Sequence, residues 1–200
     1  MLPKKLNHPY EKVLVKNHLT SLKNNDRHLR FGAALSDEAI ETYVDKQWNE
    51  EGAWFGVYDG QVIIALVHVG VENGEAELGL SVEPQYRGQK LGQRLFERAV
   101  VYLKSKDIKH VFMHCLSENS VMKHIANKYG MTMVTSQGET DARATIDFPY
   151  TIMDPLQEAV AQNLALYDNS IRAIAKMWSD YIERIWDSIP KQQLKKVSNG

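Results

Sequence analysis

Three consecutive stretches of alternating or β-branched residues predict an antiparallel meander in the first half of the chain. Residues 53–58, 61–71 and 75–82 carry the apolar, aromatic and β-branched side chains typical of strands. Asp59-Gly60 and Asn73-Gly74 separate these stretches, and both dipeptides favour tight hairpin turns. We therefore predict that each strand pairs with the next one along the chain.

Helical periodicity surrounds this meander. Ser36-Asp37-Glu38 is a typical helix start, because it combines a capping side chain with an acidic first turn. The apolar face that follows it consists of Ile40, Tyr43, Val44 and Trp48. A second amphipathic helix is predicted over residues 88–105. The first 30 residues are mostly polar and predict only a short helix, with a short strand as a further option.

The next elements complete a mixed sheet. Residues 110–116 form an apolar run that predicts a buried strand, and residues 119–129 predict a helix that Gly130 closes. Residues 131–135 and 142–148 predict a final hairpin. This order of elements predicts a mixed α/β fold with one strand-helix-strand crossover.

Composition narrows the class of protein. The 200 residues are 44% hydrophobic and 24% charged, which suits a globular domain with a substantial core. A net charge of -1 gives no basic excess for a nucleic-acid surface. We expect a cytoplasmic protein with no membrane partner, since no apolar stretch suits a secretory signal or a membrane span. The one cysteine, Cys115, is expected to be a buried strand residue, and the seven scattered histidines predict no metal.

The chain changes character after Pro149. Asp154-Pro155 is a typical helix start, and no glycine or further proline follows before Ile189. We expect a domain at residues 1–149 and a helical extension at residues 150–200, either continuous or broken near Asp168. Its apolar residues alternate three- and four-residue spacing, which is typical of a helix-pairing seam; they are Leu164, Tyr167, Ile171, Ile174, Trp178, Tyr181 and Ile185. This seam has three expected uses: packing on its own domain, forming a homodimer and, less favoured, lying on a membrane surface.

A candidate anion site lies where the third strand of the meander runs into the next helix. The first N–H groups of a helix lack partners, and the helix dipole adds partial positive charge there. Gly88 and Gly92 allow a phosphate to approach the backbone, and a diphosphate is the expected ligand. We expect one basic face here, formed by Arg87, Lys90, Arg94 and Arg98.

This loop lacks the two common nucleotide-binding patterns. Gly92 is followed by Gln93-Arg94 instead of Lys and Ser or Thr, and too few glycines are present for a dinucleotide fold. The stretch instead resembles the pyrophosphate loop of the GNAT superfamily of acyl-CoA-dependent N-acetyltransferases, R/Q-x-x-G-x-G/A after V-x-P-x-x-R-G. Arg87 and Gly92 take its first and last positions. Lys90 stands where the first glycine is expected. This departure costs little if Lys90 keeps the helical backbone expected over residues 88–105, and its side chain can reach a phosphate.

Residues 119–131 resemble the later signature of the same superfamily, N-x-x-A/M-x-x-L/I-Y/A-x-x-x-G-F/M. In that family the asparagine caps a helix and often contacts the pantetheine arm, so Asn119 is expected to be a cap alone or a cap and a ligand. Many members carry a tyrosine that protonates the leaving thiolate at the position of Ala126. Tyr129 points in a different helical direction, so the usual general acid cannot be carried over.

The resemblance implies a protein with the GNAT fold that transfers the acetyl group of acetyl-CoA directly to a primary amine. Residues 26–40 look like the opening of a bacterial subgroup allied to protein-lysine acetyltransferase domains. The strand that ends at Val82 is expected to be splayed from its neighbour, so that its N–H groups are free for ligand. The implied CoA contacts are Leu80, Ser81, Val82, Arg87, Gly88, Gln89, Lys90, Gly92, Gln93 and Asn119.

The sequence offers three candidates for the general base that deprotonates the amine. Glu77 lies on the same strand, at a position often acidic in the family, and its alternatives are a solvated residue or a salt-bridge partner. Glu75 and His114 are weaker candidates. Because Ala126 replaces the usual acid, a competing hypothesis is a regulatory module that binds CoA and has lost efficient catalysis.

Overall fold

A mixed seven-stranded sheet forms the centre of the molecule. The computed structural model describes residues 1–136, 139–145 and 153–188. The described strands are β1 (Lys4–Leu6), β2 (Gly52–Asp59), β3 (Val62–Glu72), β4 (Glu75–Val82), β5 (His110–Leu116), β6 (Thr132–Ser136) and β7 (Glu139–Thr145). They lie in the order β1-β2-β3-β4-β5-β7-β6. Strands β4 and β5 run parallel, and the other neighbours are antiparallel.

Helices cover both faces of this sheet. They are α1 (Pro9–Ser21), α2 (Asn24–Phe31), α3 (Asp37–Gln47), α4 (Leu91–Ser105), α5 (Ser120–Lys128) and α6 (Met153–Ser188). Helices α4 and α5 bury apolar residues against one face in the larger core cluster, whereas α1 and α3 do so against the other. The α/β class, the meander and the β4–α4–β5 crossover predicted from the sequence are confirmed.

Local turn chemistry explains why several predicted boundaries are accurate. Asn73 and Gly74 have φ of 52° and 79°, as a two-residue type I′ turn requires, and they fix the pairing of Glu72 with Glu75. Ser36 caps α3 through its side chain, which accepts from the Ala39 N–H. Cys115 is buried in β5, as predicted.

Other boundaries differ from the prediction. Helix α4 begins at Leu91 and not at Gly88, because Gly88 and Lys90 have positive φ of 77° and 61°, which a helix cannot include. The expected helical backbone at Lys90 is therefore wrong. The first 31 residues hold β1, α1 and α2, more structure than their polar pattern indicated. Strand β7 starts at Glu139, and residues 146–148 of the predicted hairpin lie outside the described residues.

Helix α6 is unbroken and packs on the domain with its polar face. Glu158 pairs with the buried Arg98, and Gln162 bonds the backbone of Lys5. No break occurs near Asp168. The expected packing of the apolar seam on its own domain is wrong, because its described residues are exposed, Ile171 by 66% and Trp178 by 60%. The predicted division between residues 149 and 150 falls outside the described residues and stays a prediction.

Among the described helices, none combines the length and the apolarity that a membrane crossing needs.

Two histidines are buried, His18 on α1 and His68 on β3. His18 Nδ1 donates to the Ile63 carbonyl at 2.9 Å, so its Nε2 accepts from Ser81 Oγ at 2.8 Å. Burial, with a smaller contribution from the charge of Arg30, lowers the pKa of His18 to about 4 and that of His68 to about 3. Both histidines are therefore neutral at pH 7.

This burial predicts acid sensitivity of the fold. Below pH 6.5 the unfolded chain binds a proton at His18 that the folded chain does not, so stability is present above that pH and is lost as pH falls toward 4. The free energy of unfolding should fall by roughly 2 kcal/mol between pH 7 and pH 5 on account of His18. Urea unfolding of the parent and of His18→Gln at both pH values measures this difference.

The variant should show a smaller pH dependence than the parent, because a glutamine amide does not titrate. The exposed His124→Gln serves as the control and should keep the pH dependence of the parent. An equal pH dependence in the parent and His18→Gln would contradict the assignment.

Candidate active site

A gap opens in the sheet where β4 and β5 separate. The two strands pair at only three positions, the last being Glu77 with Phe112. The Glu83 N–H donates to the Ile64 carbonyl of β3 at 2.9 Å. In an antiparallel pair, successive residues of a strand direct their N–H groups alternately toward the neighbouring strand and away from it. The backbone N–H groups of Leu80 and Val82 therefore point into the gap. The splay expected from the sequence is present.

Ser81 differs from its two neighbours. The same alternation directs its N–H toward β3, and its hydroxyl is held by His18. Three strand residues were predicted to offer backbone N–H groups to the ligand. The N–H groups of Leu80 and Val82 point into the gap, whereas the N–H group of Ser81 does not.

A cavity of about 390 Å³ occupies this gap. Its volume lies in the range usual for cofactor pockets. Nine of the ten predicted CoA contacts line it, and Gln89 is the exception. The nine are Leu80, Ser81, Val82, Arg87, Gly88, Lys90, Gly92, Gln93 and Asn119.

One end of this cavity is the N-terminus of α4. The first hydrogen bond within the helix runs from Arg94 N to Lys90 O at 3.1 Å, and no side chain that the structure describes caps the helix. The N–H groups of Leu91, Gly92 and Gln93 therefore have no partner inside the helix. Three free donors on a helix dipole make a site for an anion.

The two glycines of the loop serve different purposes. Gly88 has φ of 77°, and an added Cβ would meet open space, so glycine is required here by the backbone conformation and not by a lack of room. Gly92 has helical backbone, and an added Cβ would lie 3.2 Å from Ile125 Cδ1. Gly92 therefore allows close packing of α4 on α5 as well as access to the backbone.

The predicted basic face is only partly present. Arg87 pairs with Asp26 of α2 at 2.6 Å and bonds the Val82 carbonyl. Arg94 donates to the Met1 carbonyl, and Arg98 pairs with Glu158, so both point away from the cavity. The remaining cation, Lys90, forms no ion pair within the part of the chain that the structure describes.

Asn119 caps α5 and also lines the cavity. Its Oδ1 accepts from Met122 N at 3.2 Å, and its Nδ2 donates to the Leu29 carbonyl at 3.4 Å. Ala126 is buried and offers no acid. Tyr129 stacks on Phe96, and its hydroxyl donates to Glu97. Burial raises the pKa of Tyr129, and the hydrogen bond to Glu97 raises it by a smaller amount. Tyr129 does not line this cavity.

A second cavity of about 350 Å³ lies on the α3 side of β4. Glu77, Tyr43 and His68 line it, and Arg30 lines both cavities. The Arg30 guanidinium covers Gly79 so closely that an added Cβ there would lie 2.1 Å from Nη2. Arg30 thus marks the junction of the two cavities.

Arg30 belongs to a short polar chain. Its Nη2 donates to Tyr43 Oη at 3.4 Å, and Tyr43 Oη lies 2.8 Å from His68 Nδ1. His68 stacks on Trp54 with ring centroids 4.1 Å apart. Arg30 forms no ion pair with a described carboxylate. Arg30 is not predicted as a site residue from the sequence, because its only signal there is membership of the segment 26–40.

Glu77 is exposed at the point where the strands part. Its carboxylate makes no hydrogen bond or ion pair among the described residues, so the salt-bridge alternative is not seen. Glu75 lies 3.7 Å from Arg143, and His114 is a lining residue of neither cavity. Within the described ranges, no three His, Cys, Asp or Glu side chains are grouped to hold a metal.

Comparisons with known proteins agree on one family. The family model described as Acetyltransferase (GNAT) family matches residues 22–131. No curated protein matches the sequence significantly. Among solved structures, the GNAT domain of S. lividans PAT is similar at 16% identity and TM-score 0.60, covering 72% of this chain and 88% of that one.

Two further structures share the fold. The ribosomal-protein-S18-alanine N-acetyltransferase from Escherichia coli is 16% identical at TM-score 0.55, covering 74% of this chain and 94% of its own. The PaiA N-acetyltransferase from Thermoplasma acidophilum, solved with coenzyme A, is 18% identical at TM-score 0.53, covering 72% and 99%. The family model spans more than half of the chain, and the chain therefore belongs to the GNAT family of acetyltransferases.

Proposed function

We propose that this acetyltransferase moves the acetyl group of acetyl-CoA to a primary amine by direct transfer. The observation that carries the proposal is the placement of nine predicted CoA contacts around one cavity that ends at an uncapped helix N-terminus. The diphosphate of CoA would lie on the free N–H groups of Leu91, Gly92 and Gln93, with Lys90 beside it. The pantetheine arm would run along the gap, within reach of the N–H groups of Leu80 and Val82.

The second cavity suits a cationic acceptor. Its carboxylates outnumber its cations, which are Arg30 and Lys46. The acidic lining residues are Glu50, Glu51, Glu72, Glu75 and Glu77. An ammonium group is attracted to such a surface. A primary amine would therefore enter from this side and meet the thioester at the junction.

Glu77 is the proposed general base. An ammonium must lose a proton before its nitrogen can attack the thioester carbon, and Glu77 lies in the acceptor cavity beside the gap. Its carboxylate is exposed and without a described partner, so it can take the proton directly or through a water. Attack forms a tetrahedral oxyanion, the C–S bond breaks, and the CoA thiolate leaves and takes up a proton.

Arg30 is proposed to stabilise the developing oxyanion. Its guanidinium lies on Gly79, one residue before Leu80, and borders both cavities. A fixed positive charge near the thioester oxygen lowers the energy of the tetrahedral intermediate more than that of the ground state. The same charge disfavours the protonated form of a nearby amine.

A second candidate function is a CoA-binding regulatory module. Ala126 removes the usual general acid, and Tyr129 is held away by Phe96 and Glu97. The thiolate must then take its proton from water or from another group. Acetyl-CoA binding without turnover of any primary amine, including a lysine-containing peptide, would favour this module over the enzyme.

The phosphate role of Lys90 can be tested apart from its backbone strain. Lys90→Gly removes the charge and suits φ of 61°, whereas Lys90→Ala removes the charge and keeps the strain. Both variants should bind CoA about tenfold more weakly, because one charge-assisted hydrogen bond is lost. Calorimetric titration with desulfo-CoA measures the effect.

N-acetylpantetheine, which lacks the diphosphate, should bind the parent and both variants equally. Lys109→Ala, a change of an exposed lysine near β5, should leave CoA affinity unchanged. Unchanged CoA affinity in Lys90→Ala, which differs from the parent in charge and not in backbone strain, would overturn the phosphate role.

Removal of the Glu77 carboxylate should slow chemistry. Glu77→Gln should lower kcat/KM by about 10²- to 10⁴-fold and flatten the rise of rate with pH, because the proton acceptor is gone. The assay follows CoA thiol release with the best acceptor from a panel of primary amines. Glu75→Gln on the same face is the matched control, with less than a tenfold loss expected. Equal turnover in Glu77→Gln and the parent would remove Glu77 as the base.

The role of Arg30 can be probed without touching its charge. Gly79→Ala should displace the guanidinium from the strand, because the added Cβ would overlap it. We expect Gly79→Ala and Arg30→Ala to lower kcat by about tenfold or more while acetyl-CoA affinity changes little. Arg30→Lys should recover part of the loss. A change confined to the acceptor KM would instead assign Arg30 to acceptor binding.

A further inference from the structure

Helix α6 presents its apolar face to solvent. Its inward face carries Ala165, which is fully buried, together with Glu158 and Lys176, which pair with Arg98 and Asp59. The outward residues Val160, Leu164, Tyr167, Ile171, Ile174, Trp178 and Tyr181 follow one another at alternating spacings of four and three. This arrangement is the reverse of what a helix on the surface of a monomer shows.

The exposed apolar area is large. Among the described side chains of α6, eleven large apolar ones are between 40% and 70% exposed. With side-chain areas of roughly 150–250 Å² for the aromatic members, they leave on the order of 1,000 Å² uncovered. The largest apolar patch on a monomer is usually about 300–600 Å², whereas a stable interface takes about 800 Å² from each partner. The area therefore matches one side of a standard protein interface.

The spacing identifies the kind of partner. Seven-residue repeats with two apolar positions allow the side chains of one helix to fit between those of another. A flat membrane surface does not require such a repeat. The charged residues from Glu158 to Glu183 lie toward the inward side of the helix, so no formal charge interrupts the seam.

We propose that a second copy of this chain covers the seam, so that two α6 helices pair about a two-fold axis. A two-fold axis brings the same surface of each copy together, and a seam with one repeat throughout is complementary to itself. The described helix of 36 residues is about 54 Å long, which gives the pairing more than three heptads. Each acetyltransferase domain stays on the outer side of the pair, where Arg98 holds its helix.

The interface is tested with single charges and with the full chain. Ile171→Glu and Ile174→Glu place a carboxylate in the seam at residues that are 66% and 54% exposed. Sedimentation equilibrium should find a dimer for the parent at micromolar concentration and a monomer for both variants, with the dissociation constant raised at least 100-fold. Val13→Glu adds the same charge at an exposed valine of α1 and should leave the dimer intact.

Circular dichroism and thermal melting of each variant separate dissociation from unfolding. Point variants are preferable to removal of the helix, because removal would leave the buried Arg98 without Glu158. A parent that is monomeric at 100 μM, a dimer that survives both seam variants, or a monomer that sediments with lipid vesicles through this face would each overturn the proposal.

Discussion

The site depends on one constraint, the separation of β4 from β5 after three paired residues. Backbone groups of a central strand ordinarily find partners on both sides, and unpaired ones are costly when buried. Here the donors of Leu80 and Val82 face a cavity instead of a neighbouring strand. Helices α2 and α5 cover the opening from either side, and Asn119 joins them through the Leu29 carbonyl. The fold therefore keeps an unpaired strand edge available for a ligand.

Electrostatic pairing decides which charges can serve the ligand. Arg87, the residue with the strongest motif signal, is bound to Asp26 and to the Val82 carbonyl, so it fixes the loop to α2 and to the strand. Lys90 has no such partner among the described residues and lies next to the free donors of α4. Its left-handed backbone costs about 1–2 kcal/mol that a glycine would avoid. A lysine at this position is consistent with a function in binding that offsets the strain.

The sequence predicted features that are set by neighbouring residues. The bounds of β4 and β5 agree with the prediction, because alternation and the Asn73-Gly74 turn are local. Features that depend on distant residues were missed or predicted wrongly. The backbone of Lys90 follows from the junction of strand and helix, and the position of Arg30 over Gly79 requires α2 to lie across β4. Neither arrangement leaves a periodic signal in the chain.

The orientation of α6 is a further feature that depends on distant residues and that the sequence pattern did not predict. Its spacing predicted a seam, but the direction of the seam is set by Arg98, which is buried and forms two hydrogen bonds with Glu158. A buried guanidinium without a partner costs several kcal/mol, so the helix must turn its glutamate inward. Glu158 and Ala165 share that face, and the apolar residues then have to lie on the opposite one. A buried charge on α4 thus determines which surface of the extension is left for another molecule.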